Sequence, residues 1–188
     1  CLSGGVSLNC VANSKLLNSG FVDNMFVQPA SSDAGTALGA ALEVQVKLAS
    51  PKTFFIMDHV YYGPQYSNSE IIKTIQKCEV QYYYKLAKAE TTVARLLAAG
   101  KIIGWFQGRM EVGPRALGNR SILANPSILK MKDIINNRVK GREPWRPFAP
   151  SFLEEYAGNY LLDVTKSPFM ILESRVKPDK LHDIIAAT

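Results

Sequence analysis

Cysteine and histidine are scarce in this 188-residue sequence, and the scarcity narrows its chemistry first. The three cysteines, Cys1, Cys10 and Cys78, are odd in number and form no C-x-x-C pair, so neither a disulfide framework nor a thiolate zinc site is supported. A reducing, cytoplasmic compartment is expected. His59 and His182 are the only histidines and stand far apart, which argues against a self-contained histidine metal motif. No run of about 18 uncharged apolar residues occurs, and no basic-then-apolar leader opens the chain, so neither a membrane span nor a signal peptide is expected. Internal repeats and low-complexity tracts are missing too, and with 47% hydrophobic residues the chain reads as globular, with room for one domain or one domain and part of a second.

Positive charge is present in excess, and it is confined. The net charge is +6, yet residues 101–150 alone hold ten basic and three acidic residues, a local surplus of +7. The rest of the chain is close to neutral, so function has to be sought in that segment.

Local patterns suggest α/β layering. The opening Cys1-Leu-Ser-Gly-Gly reads like the end of a buried strand running into a glycine turn, the start expected of a fragment. An apolar-periodic helix through Val11, Leu16 and Leu17 stops at Gly20, and Phe21–Val27 reads as a short strand. Ser32 or Asp33 is placed to cap a second helix from Ala34 to about Leu48, with Gly35 and Gly39 at expected close approaches. A boundary is expected near residues 49–66. Ser67-x-x-Glu70 is a capping box, Val80–Tyr84 reads as a strand, Thr91–Ala99 as a helix and Lys101–Phe106 as a buried strand. Asn125-Pro126 is expected to start a helix carrying Met131 and Ile135, and Ser151-x-x-Glu154 to open another.

Two clusters make up the basic surplus. Arg109, Arg115 and Arg120, followed by Ser121, are separated by Gly-Pro and Gly-Asn turns and cannot form one helical stripe. Lys140, Arg142 and Arg146 sit among three prolines and a glycine that restrict the backbone. Such loops suit fixed guanidinium forks. Each charge-assisted bond to phosphate or carboxylate is worth roughly 1.5–3 kcal/mol, so several converging arginines specify a polyanion such as a nucleotide or an acyl phosphate. Salt bridges to Glu111 or Glu143 are the structural alternative for any one arginine. A nucleic-acid surface is the other-class alternative, with Trp105, Trp145 and Phe148 as stacking residues. Gly4-Gly5 fits either a packing turn or an approach for phosphate oxygens to backbone N–H groups, and Asp33 either a helix cap or a metal ligand.

The stretches Leu2–Asn13 and Phe26–Ala41 closely resemble the end of the ATP-binding domain of the O-carbamoyltransferases that act on nodulation factors and antibiotics. Gly104–Ser121, with its Gly-Arg-Met-Glu-Val-Gly-Pro-Arg-Ala-Leu-Gly-Asn-Arg-Ser core, and Val139–Ser151 resemble the C-terminal domain of the same family. The resemblance implies residues 1–50 as the end of an actin-like, sugar-kinase-like ATPase domain and 52–188 as a truncated YrdC-like domain, similar to threonylcarbamoyl-adenylate synthases. It further implies ATP-dependent carbamoyl transfer through a carbamoyl-adenylate made from carbamoyl phosphate and ATP, with a hydroxyl-bearing small molecule or glycan as acceptor.

Carried over by motif, Arg109, Arg115, Arg120, Lys140 and Arg142 would be catalytic, and Ser121 and Arg146 would bind carbamoyl phosphate and ATP. Gly4, Gly5 and Asn9 would face nucleotide, and Asp33 matches a metal-binding aspartate. The family's histidine metal motif is absent from this sequence. Iron therefore belongs to the intact enzyme with an incomplete site here, and Mg2+ accompanying ATP is the other implied ion. A non-catalytic nucleotide-binding relative is the remaining alternative, and an oligomer is compatible with all three readings.

Overall fold

The computed structural model describes residues 1–49, 55–78, 81, 83, 87–164 and 166–188. These contain six α-helices and two short strands: α1 Cys10–Leu17, α2 Thr36–Ala49, α3 Asn68–Lys77, α4 Ala89–Ala98, β1 Ile103–Phe106, β2 Arg120–Leu123, α5 Met131–Ile134 and α6 Glu154–Tyr160. The strands β1 and β2 pair as a two-stranded sheet. Among the described residues, no helix is long and apolar enough to cross a membrane.

The chain divides into two compact units that interleave in sequence. One comprises Cys1–Pro64, Gln107–Arg120 and Thr165–Glu173; the other comprises Gln65–Phe106, Ser121–Val164 and Ser174–Thr188. The arginine-rich segment between β1 and β2 thus falls in the first unit, with the chain's opening residues.

The first unit is held together as much by polar bonds as by apolar packing. Leu2 and Val27 form a parallel bridge, with the Leu2 N–H on the Phe26 carbonyl at 2.9 Å and the Gly4 N–H on that of Ser31 at 2.7 Å. The strand expected over Phe21–Val27 reduces to this bridge, because only Val27 finds a partner backbone. Ser7, Asn13, Ser14 and Ser31 are buried alongside Val27, Ala30 and Val60. Their polar atoms are answered: Ser31 Oγ lies 2.7 Å from Ser7 Oγ, and Asn13 Nδ2 donates to the carbonyls of Ser7 (2.7 Å) and Ile171 (3.0 Å). Ser14 Oγ accepts the Glu173 N–H at 2.8 Å. Burial of such groups is tolerable only because each is bonded.

Asn9 caps α1, its side chain accepting the Ala12 N–H at 3.1 Å. The second helix is entered through a 3-10 turn, Asp33–Gly35, whose preceding Ser32 makes no side-chain capping bond. A Cβ at Gly35 would collide with the Ala30 carbonyl, the close approach expected there, whereas Gly39 faces open space.

In the second unit, Ser67 and Glu70 form the reciprocal capping box of α3. Of the strand expected over Val80–Tyr84, only Gln81 and Tyr83 lie within the described residues. Helix α4 ends at Gly100 (φ +76°), a left-handed position that suits glycine. Asn125 forms a turn instead of starting a helix, its side chain accepting the N–H and Oγ–H of Ser127, and α5 begins only at Met131. Met131, Ile135 and Ala186 are the buried centre, packed by Ile102, Ala124, Ile128 and Phe148. Past Ile134 the helix widens into a π-helical segment, Ile135–Lys140, closed by Gly141 in left-handed conformation (φ 54°, ψ 45°). Helix α6 starts at Glu154 without a side-chain cap, so Ser151 does not act as expected.

Candidate functional site

The first arginine cluster is built around a buried acid. Glu111 is 5% exposed, and its Oε1 accepts the backbone N–H groups of Leu117 (2.7 Å), Asn119 (2.8 Å) and Arg120 (3.3 Å). Its Oε2 receives Arg120 Nε at 3.1 Å. Burial alone would raise the Glu111 pKa; the N–H bonds from Leu117 and Asn119, with the Arg120 guanidinium, outweigh it and hold the group at about 2. One carboxylate thereby ties Glu111 to the backbone of Leu117, Asn119 and Arg120 and to the Arg120 guanidinium. Positive φ at Gly113 (+99°) and Gly118 (+109°) lets the backbone wrap around it.

The three arginines of this unit have different partners. Arg109 is exposed and donates from Nε to the Gly63 carbonyl (3.0 Å) and from Nη2 to that of Tyr62 (3.1 Å). Arg115 donates from Nη2 to the Leu8 carbonyl at 2.8 Å, and its Nε is buried with no hydrogen-bond partner among the described residues. Leu8 ends the 3-10 turn Gly5–Leu8, so Arg115 stands beside the glycine turn singled out as phosphate-facing. Gly4 itself takes φ +89° and keeps its carbonyl on the N–H and Oγ of Ser7. Asn9, the third nucleotide-binding candidate, spends its Oδ1 on the α1 cap.

The second cluster is organised by Asn136, which is fully buried (0% exposed) at the start of the π-helical segment. Its Oδ1 accepts Arg142 Nε at 2.7 Å, and its Nδ2 donates to the carbonyls of Pro144 (3.2 Å) and Arg146 (3.0 Å). Its own carbonyl takes the N–H groups of Gly141 and Arg142. Arg142 also stacks on Phe148, its Cζ 4.7 Å from the ring centre. Arg146 is exposed, paired with Glu143 at 2.8 Å and set over Trp145. Lys140 is exposed at the end of the π-helical segment, and Ser121 is half-buried on β2.

Neither Glu111 nor Asn136 stands out as an organiser in the sequence. Glu111 reads there only as a salt-bridge partner, although a lone acid inside a glycine-rich arginine loop is a signal that such a loop needs an internal acceptor. Asn136 carries no local signal, because its partners lie six to ten residues ahead.

Asp33 is exposed at the first position of its 3-10 turn, and among the described residues no three His, Cys, Asp or Glu side chains converge.

Comparison with known sequences decides the family. The family model for the carbamoyltransferase C-terminus matches residues 94–188, and that for the carbamoyltransferase N-terminus matches residues 1–42. The chain belongs to the carbamoyltransferase family. It is 47% identical to nodulation protein NolO of Bradyrhizobium diazoefficiens, over 100% of this chain and 35% of that protein. It is 34% identical to the 3'-hydroxymethylcephem-O-carbamoyltransferase of Streptomyces clavuligerus (95% of this chain, 32% of that protein) and 34% identical to nodulation protein U of Rhizobium tropici (95% and 29%). The chain therefore spans about a third of the curated carbamoyltransferase-family relatives it matches. Both arginine clusters lie within the residues matched to the C-terminal family model.

Proposed function

We propose that this carbamoyltransferase chain supplies the anion-binding loops of an ATP-dependent enzyme that activates carbamoyl phosphate as carbamoyl-adenylate and passes the carbamoyl group to a substrate hydroxyl. On this reading the stretch 1–50 derives from the actin-like ATPase domain and 52–188 from the YrdC-like domain. A cytoplasmic setting, with its ATP and reduced thiols, suits that chemistry. Forming carbamoyl-adenylate with release of both phosphate and pyrophosphate consumes one water, attack of the acceptor hydroxyl on the carbamoyl carbon then releases AMP, and every intermediate is anionic. What such a reaction asks of the protein is positive charge held in place on phosphoryl oxygens, with little covalent help.

The contact of Arg115 with Leu8 carries the reading. It sets a guanidinium, with one buried N–H that finds no hydrogen-bond partner among the described residues, beside the glycine turn that this reading assigns to phosphate. Within the same unit Arg109 and Arg120 supply further charge; Ser121, Lys140, Arg142 and Arg146 belong to the second unit and are proposed as anion-binding residues there. Iron has no complete donor set among the described residues, and no step is assigned to it.

The test is a thermal-shift titration. ATP with carbamoyl phosphate is expected to stabilise the protein, by about 2.7 kcal/mol at a hundredfold excess over Kd, and Arg115→Ala to abolish the effect. Tight RNA binding with a steep salt dependence and no nucleotide effect would overturn the proposal.

A further inference from the structure

We infer that the cleft beside α6 is a binding site for a neutral, hydroxyl-rich ring, the chemistry of a pyranose sugar. The cleft has a volume of about 430 Å³, lies within the second unit, and is lined by none of the arginines of the two clusters. That volume falls in the range of small-molecule pockets. Two short helices supply most of its walls. Tyr156, Asn159 and Tyr160 recur at i, i+3 and i+4 along α6, so they share one face. In the 3-10 helix Pro178–Asp183, Lys180 and Asp183 are three residues apart and fall one above the other. An antiparallel bridge between Leu161 and Val176 ties the two helices together, with the Lys177 N–H on the Tyr160 carbonyl at 2.8 Å and Lys177 Nζ on that of Gly158 at 2.6 Å. Pro126 and the buried Ile184 add apolar lining, and the Ala186 N–H bonds the Pro126 carbonyl at 2.9 Å.

The chemistry of the lining selects the ligand. Lys180 Nζ lies 3.8 Å from Asp183 Oδ2 and 5.9 Å from the centre of the Tyr160 ring, so the two charges offset each other and an ionic ligand gains little. The other Asp183 oxygen meets His182 Nε2 at 2.9 Å. Phe152 and Tyr160 set their ring centres 5.1 Å apart, and the Tyr156 ring is exposed, so aromatic surface is offered to solvent. Around it, the side chains of Ser151 and Asn159 and the hydroxyls of Tyr156 and Tyr160 make no hydrogen bond among the described residues. A pyranose matches both features. Its C–H face packs on an aromatic ring, and its hydroxyls, each donor and acceptor at once, replace water on the uncommitted polar groups. A flat aromatic ligand would satisfy the rings alone, and an anion would face the Asp183 carboxylate.

The experiment is saturation-transfer proton NMR on the protein with the methyl glycosides of glucose, galactose and mannose. Glucose 6-phosphate and indole serve as the charged and the aromatic probe, and the series is repeated with Tyr156→Ala and Asn159→Ala. At least one methyl glycoside is expected to receive saturation at its ring C–H protons and to bind with a Kd of about 1 mM, the affinity open to so small a ligand. Each variant is expected to weaken that binding at least about fivefold, the loss of one contact. Both substituted side chains are exposed and make no hydrogen bond, so Tm is expected to stay at the parent value; if one variant fails to fold, the other decides. The inference is overturned by absence of transfer to every glycoside, by glycoside affinity unchanged in either folded variant, or by tighter binding of indole or glucose 6-phosphate than of any glycoside. Failure of both variants to fold overturns it as well, because it contradicts the uncommitted placement of these side chains. None of these outcomes depends on the carbamoyl chemistry proposed above.

Discussion

Arg120 Nε stands 3.1 Å from Glu111 Oε2 in an ion pair whose acid side chain is wholly covered while a third of the arginine side chain remains exposed. The other oxygen of that carboxylate gathers three backbone N–H groups, so the pair is the hub of residues 111–120. Glu111→Gln removes the negative charge and turns an amide toward Arg120. Leaving a partly buried guanidinium without its counter-charge is expected to cost about 3 kcal/mol, read as a lower midpoint in urea unfolding with an unchanged slope.

The same carboxylate sets an acid limit. Its folded pKa of about 2 lies below the ordinary 4.5, so its stabilisation is complete above about pH 4.5 and fades as pH falls toward 2. The full effect is about 3 kcal/mol. Unfolding measured between those pH values is expected to show a steep loss in the parent and a flatter limb in Glu111→Gln. Parallel limbs would contradict the assignment.

Two glycines of the first unit are expected to respond with opposite sign. Gly113 holds φ +99°, and a Cβ there would sit 3.3 Å from the Pro29 carbonyl oxygen, so Gly113→Ala is expected to destabilise by about 1–3 kcal/mol. Gly39 lies within α2 with nothing within 4 Å of a built Cβ, and Gly39→Ala is expected to stabilise by about 0.5–1 kcal/mol. Thermal melts of the two variants check both.

Asn9 separates a cap from a nucleotide contact. Asn9→Ala loses the bond to the Ala12 N–H and is expected to cost about 1 kcal/mol. Asn9→Asp keeps an acceptor for that N–H, so stability is retained, while the added negative charge beside the glycine turn is expected to weaken stabilisation by ATP. Equal ATP-induced shifts in Asn9→Asp and the parent would leave Asn9 as a cap only.

What was legible beforehand follows from the range of the interactions. The Ser67–Glu70 capping box and the stop at Gly100 depend on neighbours within a few positions, and pattern reveals them; the strand before Gln107 is present as Ile103–Phe106, but it is not buried as expected, alternating between half-buried and exposed residues. The expected strand over Phe21–Val27 failed because pairing requires a partner backbone, which only Val27 finds, in Leu2. Pro126 and Ser151 carry correct start signals, yet the Asn125 turn and the uncapped entry to α6 displaced both helices toward the C-terminus. The basic clusters were visible as composition. Their organisers were not: Glu111 and Asn136 act through hydrogen bonds to backbone atoms six to ten residues away, which no periodicity encodes.

Pyrophosphate release from ATP, followed with and without carbamoyl phosphate, tests the central claim most directly when the protein is compared with Arg115→Ala and Arg142→Ala. Release is expected only when both substrates are present and is expected to fall at least about tenfold in each variant, the loss of one charge-assisted contact. Release that ignores carbamoyl phosphate, or that proceeds at the parent rate in both variants, would contradict the assignment of these loops to carbamoyl activation.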